Sequence, residues 1–409
     1  MANQFQFVDW VTAESLRTLV NNLVVAECFN TDENANYTKE YAVGETVRVK
    51  LPQRFTVRDG LSYSPQPINR VYTTVTMDQV FGIDFEWDSV EAALKAERGM
   101  DAIKREYIDP AMLQIAQEID SRASLFAYQN TNNIAGVLGT NPSDTTIAGT
   151  ARQVLIENAC PPGDRTMIVS PGAMTGIVNG SLTLFNDQNQ VSKAFKEGSY
   201  GRARGFDWYE SMSLYSHTAG TWAGSVTVTT APADGASSVT VTCTTGDTFK
   251  KGDVITFASV NNVNPKTRRS TGTLKRFVLT QDATGASSSA TLNFAPALAG
   301  PGNQYQNVDA LPAASAALTL FPGTSSPSGK SGTQGLALHR DAFALVAAKL
   351  ETPKAVEMAS QQRDPKTGIS VRFVRMFDPQ QSKMVNRFDV LLGFGALYPD
   401  NAAVRILQA

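Results

Sequence analysis

At Thr221 the chain changes character, and after Lys330 it changes back. Residues 222–330 are dominated by Thr, Ser, Ala, Gly and Val, whereas the residues on either side mix helical and strand patterns. Strand-like runs recur within the block at Ser225–Thr230, Ser238–Cys243, Asp253–Phe257, Leu274–Thr280 and Ala290–Phe294. Turn sequences such as Ala233-Asp234-Gly235, Lys250-Lys251-Gly252-Asp253 and Ala283-Thr284-Gly285 separate them. Short strands at about 8–12-residue spacing with this punctuation predict an all-β barrel or sandwich. The block closes with Pro322–Lys330, whose Gly/Ser/Pro content reads as a flexible linker. A β unit bracketed by other structure is an insertion. The 409 residues agree, since one core stops growing at about 250–300 residues.

The flanking chain predicts the host. Residues 9–28 place Trp10, Leu16, Leu19, Leu23 and Val24 near one helical face, with Asp9 or Thr12 as cap. That helix must dock on its own core or on a neighbour. From Tyr41 to Phe85 the pattern alternates: Val47, Val49 and Leu51 in one run, Val71, Thr73 and Val75 in the next. The turn-rich stretch Arg54–Pro67 lies between. A lone hairpin is marginal in water, so this excursion either lies on a neighbouring subunit or joins a larger sheet. Residues 88–129 predict a long helix, started by Asp88 with Glu91 and kinked or restarted at Pro110 with Asp109 as cap. Its apolar face carries Ile108, Met112, Ile115, Ile119, Ala123 and Phe126. Next come a strand at Thr166–Ser170, a helix from Pro171 to Asn179 and a short helix over 188–198. Beyond Leu336 a helix is expected near 340–350, with strands near 369–377 and 386–396.

The segment Lys196–Ser211 holds Gly198, Gly201 and Gly205, then the alternating strand Phe206–Glu210. The spacing is wrong for a dinucleotide fingerprint, and a strand follows where a helix is required. The three glycines read as a structural turn. His217 and His339 are isolated, and Cys28, Cys160 and Cys243 are far apart, so neither a metal site nor a disulfide framework follows. No nucleophile elbow, phosphate loop or zinc-protease motif occurs. The expectation is a protein without catalytic, metal or cofactor residues, and not an enzyme. The formal net charge of −2 excludes gripping DNA by phosphate neutralisation. Neither a basic-then-apolar leader nor an apolar run of about 18 residues is present, so neither secretion nor a membrane span is expected. Charged residues are 18%, against about 25% usually, which suits a surface buried against copies of itself. The loop Asn261–Gly272 puts Lys266, Arg268 and Arg269 at a tip. It is either a solvated loop or an electrostatic contact with another subunit. Arg54 and Arg58 in the excursion are similarly expected to meet acidic groups of a neighbour.

Taken in order, these parts resemble the coat-protein family of the short-tailed Salmonella phages, within the Hong Kong 97-type capsid fold. The most specific pieces are Gly198–Ser211, Phe249–Phe257 and Val263-Asn264-Pro265 leading to Gly272-Thr273-Leu274. The resemblance implies an α+β chain: an N-terminal arm (1–40), an extended loop (41–86), a peripheral domain with spine helix (87–135), an axial domain (136–221 and 331–409) and an inserted β-barrel (222–330). It implies a major capsid protein forming hexamers and pentamers of an icosahedral shell. The implied partners are a scaffolding protein, a portal protein and enclosed double-stranded DNA held without sequence-specific binding. The implied location is the virion capsid, assembled in the host bacterial cytoplasm through a maturing procapsid. The alternatives are an encapsulin-like compartment shell, which shares the fold but carries protein cargo, and a β-rich adhesin, which only the insertion suggests.

Overall fold

The computed structural model describes residues 3–32, 44, 46–57, 60–61, 63, 65–66, 68, 72–88, 104–181, 201–222, 225–320, 329–353, 358–378 and 383–409. The helix expected over 188–198, Glu91 of the capping box, Arg58 and Gly198 lie outside the described residues. The chain divides into two compact units. One comprises residues 1–51, 72–123 and 343–397; the other comprises 52–71, 124–342 and 398–409.

The first unit is built on the strand Lys383–Ala396. One edge of it pairs antiparallel with Ser370–Asp378 and then with Phe343–Ala348. The other edge takes Gln79–Asp88, and Met358–Arg363 extends the sheet beyond Ser370–Asp378. A separate two-stranded ribbon pairs Thr46–Lys50 with Tyr72–Thr76. Its alternation works as the sequence suggests: Val47, Val49 and Val75 are buried while Thr46, Arg48 and Lys50 face out. The ribbon passes close over Gly393 and Gly395. A Cβ at Gly395 would lie 2.3 Å from Val75 Cγ2, and one at Gly393 would lie 2.5 Å from the Thr76 carbonyl. Only glycine allows that approach.

An α-helix spans Asn3–Asn21, earlier than the predicted 9–28, and a short 3-10 turn follows at Ala26–Cys28. Leu16, Leu19 and Leu23 are buried as expected. Phe29 then packs against Phe343, with ring centroids 5.3 Å apart. Asn30 donates its backbone N–H to Phe343 and accepts from Leu345, both at 2.9 Å. The long helix runs Asp109–Asn130 after a π-helical turn at Lys104–Ile108. Pro110 sits in the first turn, where its missing N–H costs nothing. The Asp109 carboxylate accepts from the Thr18 hydroxyl at 3.0 Å.

The second unit contains a seven-stranded mixed sheet. Its order is Ile134–Gly136, Ala403–Leu407, Ser331–His339, Arg165–Val169, Phe206–Glu210 and Arg202–Ala203, with Ser216–Thr218 beside the start of Ser331–His339. Two pairings are parallel: Ala403–Leu407 with Ile134–Gly136, and Arg165–Val169 with Phe206–Glu210. Helices Thr146–Glu157 and Pro171–Ser181 belong to this unit.

A closed antiparallel barrel is threaded into the same unit. Its strands, in order round the barrel, are Val226–Val228, Ser238–Thr242, Ser289–Ala295, Ser270–Leu279, Val254–Val263 and Ala317–Leu320. In Ser238–Thr242, Val239 and Val241 point inward and the polar residues alternate outward. Phe257, Phe277 and Phe294 fill the centre, with ring centroids 5.2–6.0 Å apart. The chain enters and leaves side by side: Ala219 N–H donates to Lys330 O and Gly329 N–H to Gly220 O, both at 3.0 Å.

Other elements also differ from expectation. The helix expected near 340–350 is a 3-10 turn, Arg340–Ala342, followed by the β-strand Phe343–Ala348. All six residues of that strand are buried, so both faces need apolar side chains and no strand period is visible. The closing barrel strand Ala317–Leu320 was not among the predicted runs; it is four residues long.

Candidate functional site

The glycine-rich turn leading into Phe206–Glu210 is a tight hairpin. Arg202–Ala203 pairs antiparallel with Phe206–Asp207. Arg204 and Gly205, between them, have φ of +57° and +85°. Positive φ at both central residues is the signature of a type I′ turn, and glycine adopts it without strain. Gly201 also has positive φ, +65°, and its carbonyl accepts from Trp208 N–H at 3.0 Å. Trp208 Nε1 donates to Ala203 O at 3.1 Å. Gly201 and Gly205 therefore shape the backbone, and Tyr209 and Met212 beyond the turn are exposed.

The basic loop is tightly folded. Asn264 Oδ1 accepts from the backbone N–H of Lys266 at 2.9 Å and of Thr267 at 3.1 Å. Asn264 and Arg269 pair through their backbones at 3.0 Å. Arg268, with φ of +54°, folds back: its Nη2 donates to Asn303 O at 3.1 Å and Gln304 O at 2.7 Å. Lys266 and Arg269 stay exposed. The three cations are thus not equivalent. Two present charge outward, and one is committed to its own subunit.

Arg54 arrives at the same place from a distant part of the chain. Gln304 Nε2 donates to Arg54 O at 2.6 Å. The Arg54 guanidinium lies 5.9 Å from the centroid of the Tyr305 ring, within cation–π range. Gln304 and Tyr305 escaped the sequence reading. Their only signal was an aromatic residue just after the Pro301-Gly302 turn, in a block otherwise poor in aromatics.

The segment that continues from Arg54 is the most exposed apolar stretch described. Phe55, Val57, Leu61, Tyr63 and Ile68 are 66–99% exposed. Gln66 tethers it by accepting from Thr56 N–H at 2.8 Å and donating to Thr56 O at 2.5 Å. Large exposed apolar patches mark interaction surfaces.

Polar contacts seat the barrel on the sheet. Asp253 Oδ1 bonds His217 Nε2 at 2.8 Å, and Asp253 Oδ2 accepts from Gly220 and Lys250 N–H at 3.1 and 2.8 Å. Gly252 has φ of +98°, and a Cβ there would lie 2.7 Å from the Tyr128 ring. Its carbonyl accepts from Arg405 Nη1 at 2.8 Å. Arg405 is fully buried, which lowers its pKa to about 10, because the charged form loses hydration there. Lys275 Nζ meets Asp400 Oδ1 at 2.6 Å, and Asn132 donates to the same oxygen at 2.7 Å. Arg276, with its pKa also lowered by burial to about 10, donates to Ile134 O at 2.6 Å. This arrangement holds position. Among the described residues no group of three or more His, Cys, Asp or Glu is placed to hold a metal ion, and no helix is long and apolar enough to cross a membrane.

Several solved structures are similar to this chain. A chain of Mycobacterium phage Che8 is 14% identical, with 94% of this chain and 90% of that one covered and a TM-score of 0.45. The asymmetric unit of the bacteriophage PhiM1 mature capsid is 11% identical, over 93% and 88%, with a TM-score of 0.40. The CUS-3 coat protein I-domain is 26% identical, over 25% of this chain and 98% of that one, with a TM-score of 0.20. No curated protein matches the chain. Residues 1–407 match the family model described as P22 coat protein, gene protein 5. This α+β chain therefore belongs to the P22 coat protein family, a family of shell-forming phage coat proteins.

Proposed function

We propose that copies of this chain associate as hexamers and pentamers around a scaffolding protein, with a portal protein in the shell. The rounded procapsid assembles in the host bacterial cytoplasm and matures as double-stranded DNA enters, held without sequence-specific binding. The chain works by association and not by catalysis. In this reading residues 1–40 are the arm, 41–86 the extended loop, 87–135 the spine-bearing peripheral part and 136–221 with 331–409 the axial part. Residues 222–330 are the inserted domain.

The observation that supports it is the segment after Arg54. It carries Val57 and Leu61 at 99% and 98% exposure, a large apolar cost for a subunit that stays alone. Arg54, Arg58, Lys266, Arg268 and Arg269 are the proposed charged members of the contact surfaces. Lys266 and Arg269 are the best placed to meet an acidic neighbour, since Arg268 is held internally.

Electron microscopy of the purified protein tests the proposal. Closed shells are expected when a scaffolding protein is co-expressed, and heterogeneous or spiral forms without it. Closed shells filled in vivo should protect double-stranded DNA from nuclease. A monomer that persists at high concentration under both conditions would overturn it.

A further inference from the structure

We propose that the turn Asn303–Tyr305 is a strut that couples two distant surface segments, the root of the extended segment at Arg54 and the basic loop at Arg268. Both are held by one three-residue turn, Arg268 by the backbone of Asn303 and Gln304 and Arg54 by the side chains of Gln304 and Tyr305. Arg268 Nη2 bonds the carbonyls of Asn303 and Gln304 at 3.1 and 2.7 Å. Gln304 then reaches the opposite way, its Nε2 on the Arg54 carbonyl at 2.6 Å, while the Tyr305 ring lies under the Arg54 guanidinium.

The strut itself is anchored. Tyr305 N–H donates to Asn303 Oδ1 at 3.0 Å. Asn303 Nδ2 reaches Asp234 Oδ2 at 3.2 Å, and the same carboxylate accepts from Gly300 N–H at 2.7 Å. Asp234 therefore pins the turn to the barrel. Any shift of the Gln304 backbone moves both the carbonyl that holds Arg268 and the side chain that holds Arg54. Charge-assisted bonds of this kind are the stronger ones, so the loop side dominates the position of the strut. Arg268 also holds a left-handed backbone conformation, φ +54°, which non-glycine residues adopt only when their surroundings enforce it. The basic loop is thus poised to move if its two carbonyl contacts are lost.

The consequence rests on the reading of both segments as subunit contacts: a neighbour that engages the basic loop would alter the posture of the extended segment in the same subunit. The coupling itself is a property of one chain. It is therefore tested on unassembled subunits, where failure of the shell reading would leave it unaffected.

The experiment is hydrogen exchange on three full-length variants. Arg268→Met should accelerate exchange within Gln53–Val57, read at the Thr56 amide that donates to Gln66, at least about tenfold, the loss expected for a charge-assisted bond. Arg54→Ala should accelerate exchange at residues 264–269. Lys266→Met, which changes the loop's charge but not the strut, should leave Gln53–Val57 unchanged. Amides of the barrel strand Val254–Val263 report whether the fold persists. Should Arg268→Met unfold the barrel, Arg268→Lys provides the same reading, because a compact ammonium on a flexible stem replaces the guanidinium whose Nη2 reaches both carbonyls. Acceleration confined to the mutated segment, or equal effects of Lys266→Met and Arg268→Met, would overturn the coupling.

Discussion

Asp120 shows how much one side chain can organise. It lies on the long helix at 2% exposure. Its two carboxylate oxygens accept from Val24 N–H at 2.8 Å and Ala26 N–H at 2.9 Å. These cap the chain just where it leaves the N-terminal helix. Burial raises its pKa, against the lowering effect of the backbone donors. Asp120→Ala would leave two donors unmatched and should cost about 1–3 kcal/mol, measured by chemical denaturation of the subunit. The pH dependence has a definite sign. A carboxyl group whose folded pKa is raised contributes stability that is fully present below the unfolded pKa and lost as pH rises through the folded one. Relative to Asp120→Asn, the wild type should therefore gain stability as pH falls from neutral toward the ordinary carboxylate range. A difference independent of pH would show that folding leaves the pKa of this carboxyl group unshifted. Gly395 makes the opposite point, a residue that matters for what it lacks. Gly395→Ala would press its methyl carbon on Val75, 2.3 Å away. Overpacking of this kind costs about 1–3 kcal/mol, and the thermal midpoint of the subunit should drop accordingly.

Among elements, the barrel was the most legible in sequence and the strand Phe343–Ala348 the least. Five barrel strands announce themselves because each is a short run rich in Val, Ile, Thr or Phe between turn signals. The sixth, Ala317–Leu320, is short and follows the alanine-rich run Ala313–Ala316, which carries no period. Phe343–Ala348 is three alanines among Phe, Leu and Val, and buried on both faces. Helix-forming residues without a solvent face look helical until the sheet around them is seen. The candidate site divides the same way. Gly201 and Gly205 could be assigned to a turn, since a left-handed backbone demands glycine locally. The joint role of Arg54 and Arg268 could not, because 250 residues separate Gln304 from Arg54 and nothing local records that meeting. The barrel's self-contained pattern carries its own prediction. Residues 222–330, expressed alone, should give a β-type circular dichroism spectrum and melt cooperatively. Phe277→Ala should cost that domain about 3–5 kcal/mol, since Phe277 is fully buried between Phe257 and Phe294. A disordered spectrum from the isolated segment would show that it depends on its host.

For the whole molecule, folding and assembly make separable demands on sequence. Val57 and Leu61 are almost wholly exposed, so Val57→Ser with Leu61→Ser should alter subunit stability by no more than about 0.5 kcal/mol each. The same pair should lower the yield of closed shells seen by electron microscopy. Unchanged shell yield would place the contacts elsewhere. The junction of barrel and sheet has one more consequence. Because the chain enters and leaves the barrel through hydrogen-bonded neighbours, Ala219 with Lys330 and Gly220 with Gly329, the insertion spans almost no distance in its host. Such a junction tolerates replacement of what hangs from it. Over evolutionary time the module between residues 221 and 329 can be exchanged, enlarged or pared away in a single genetic event, with the two cut ends of the host already lying side by side.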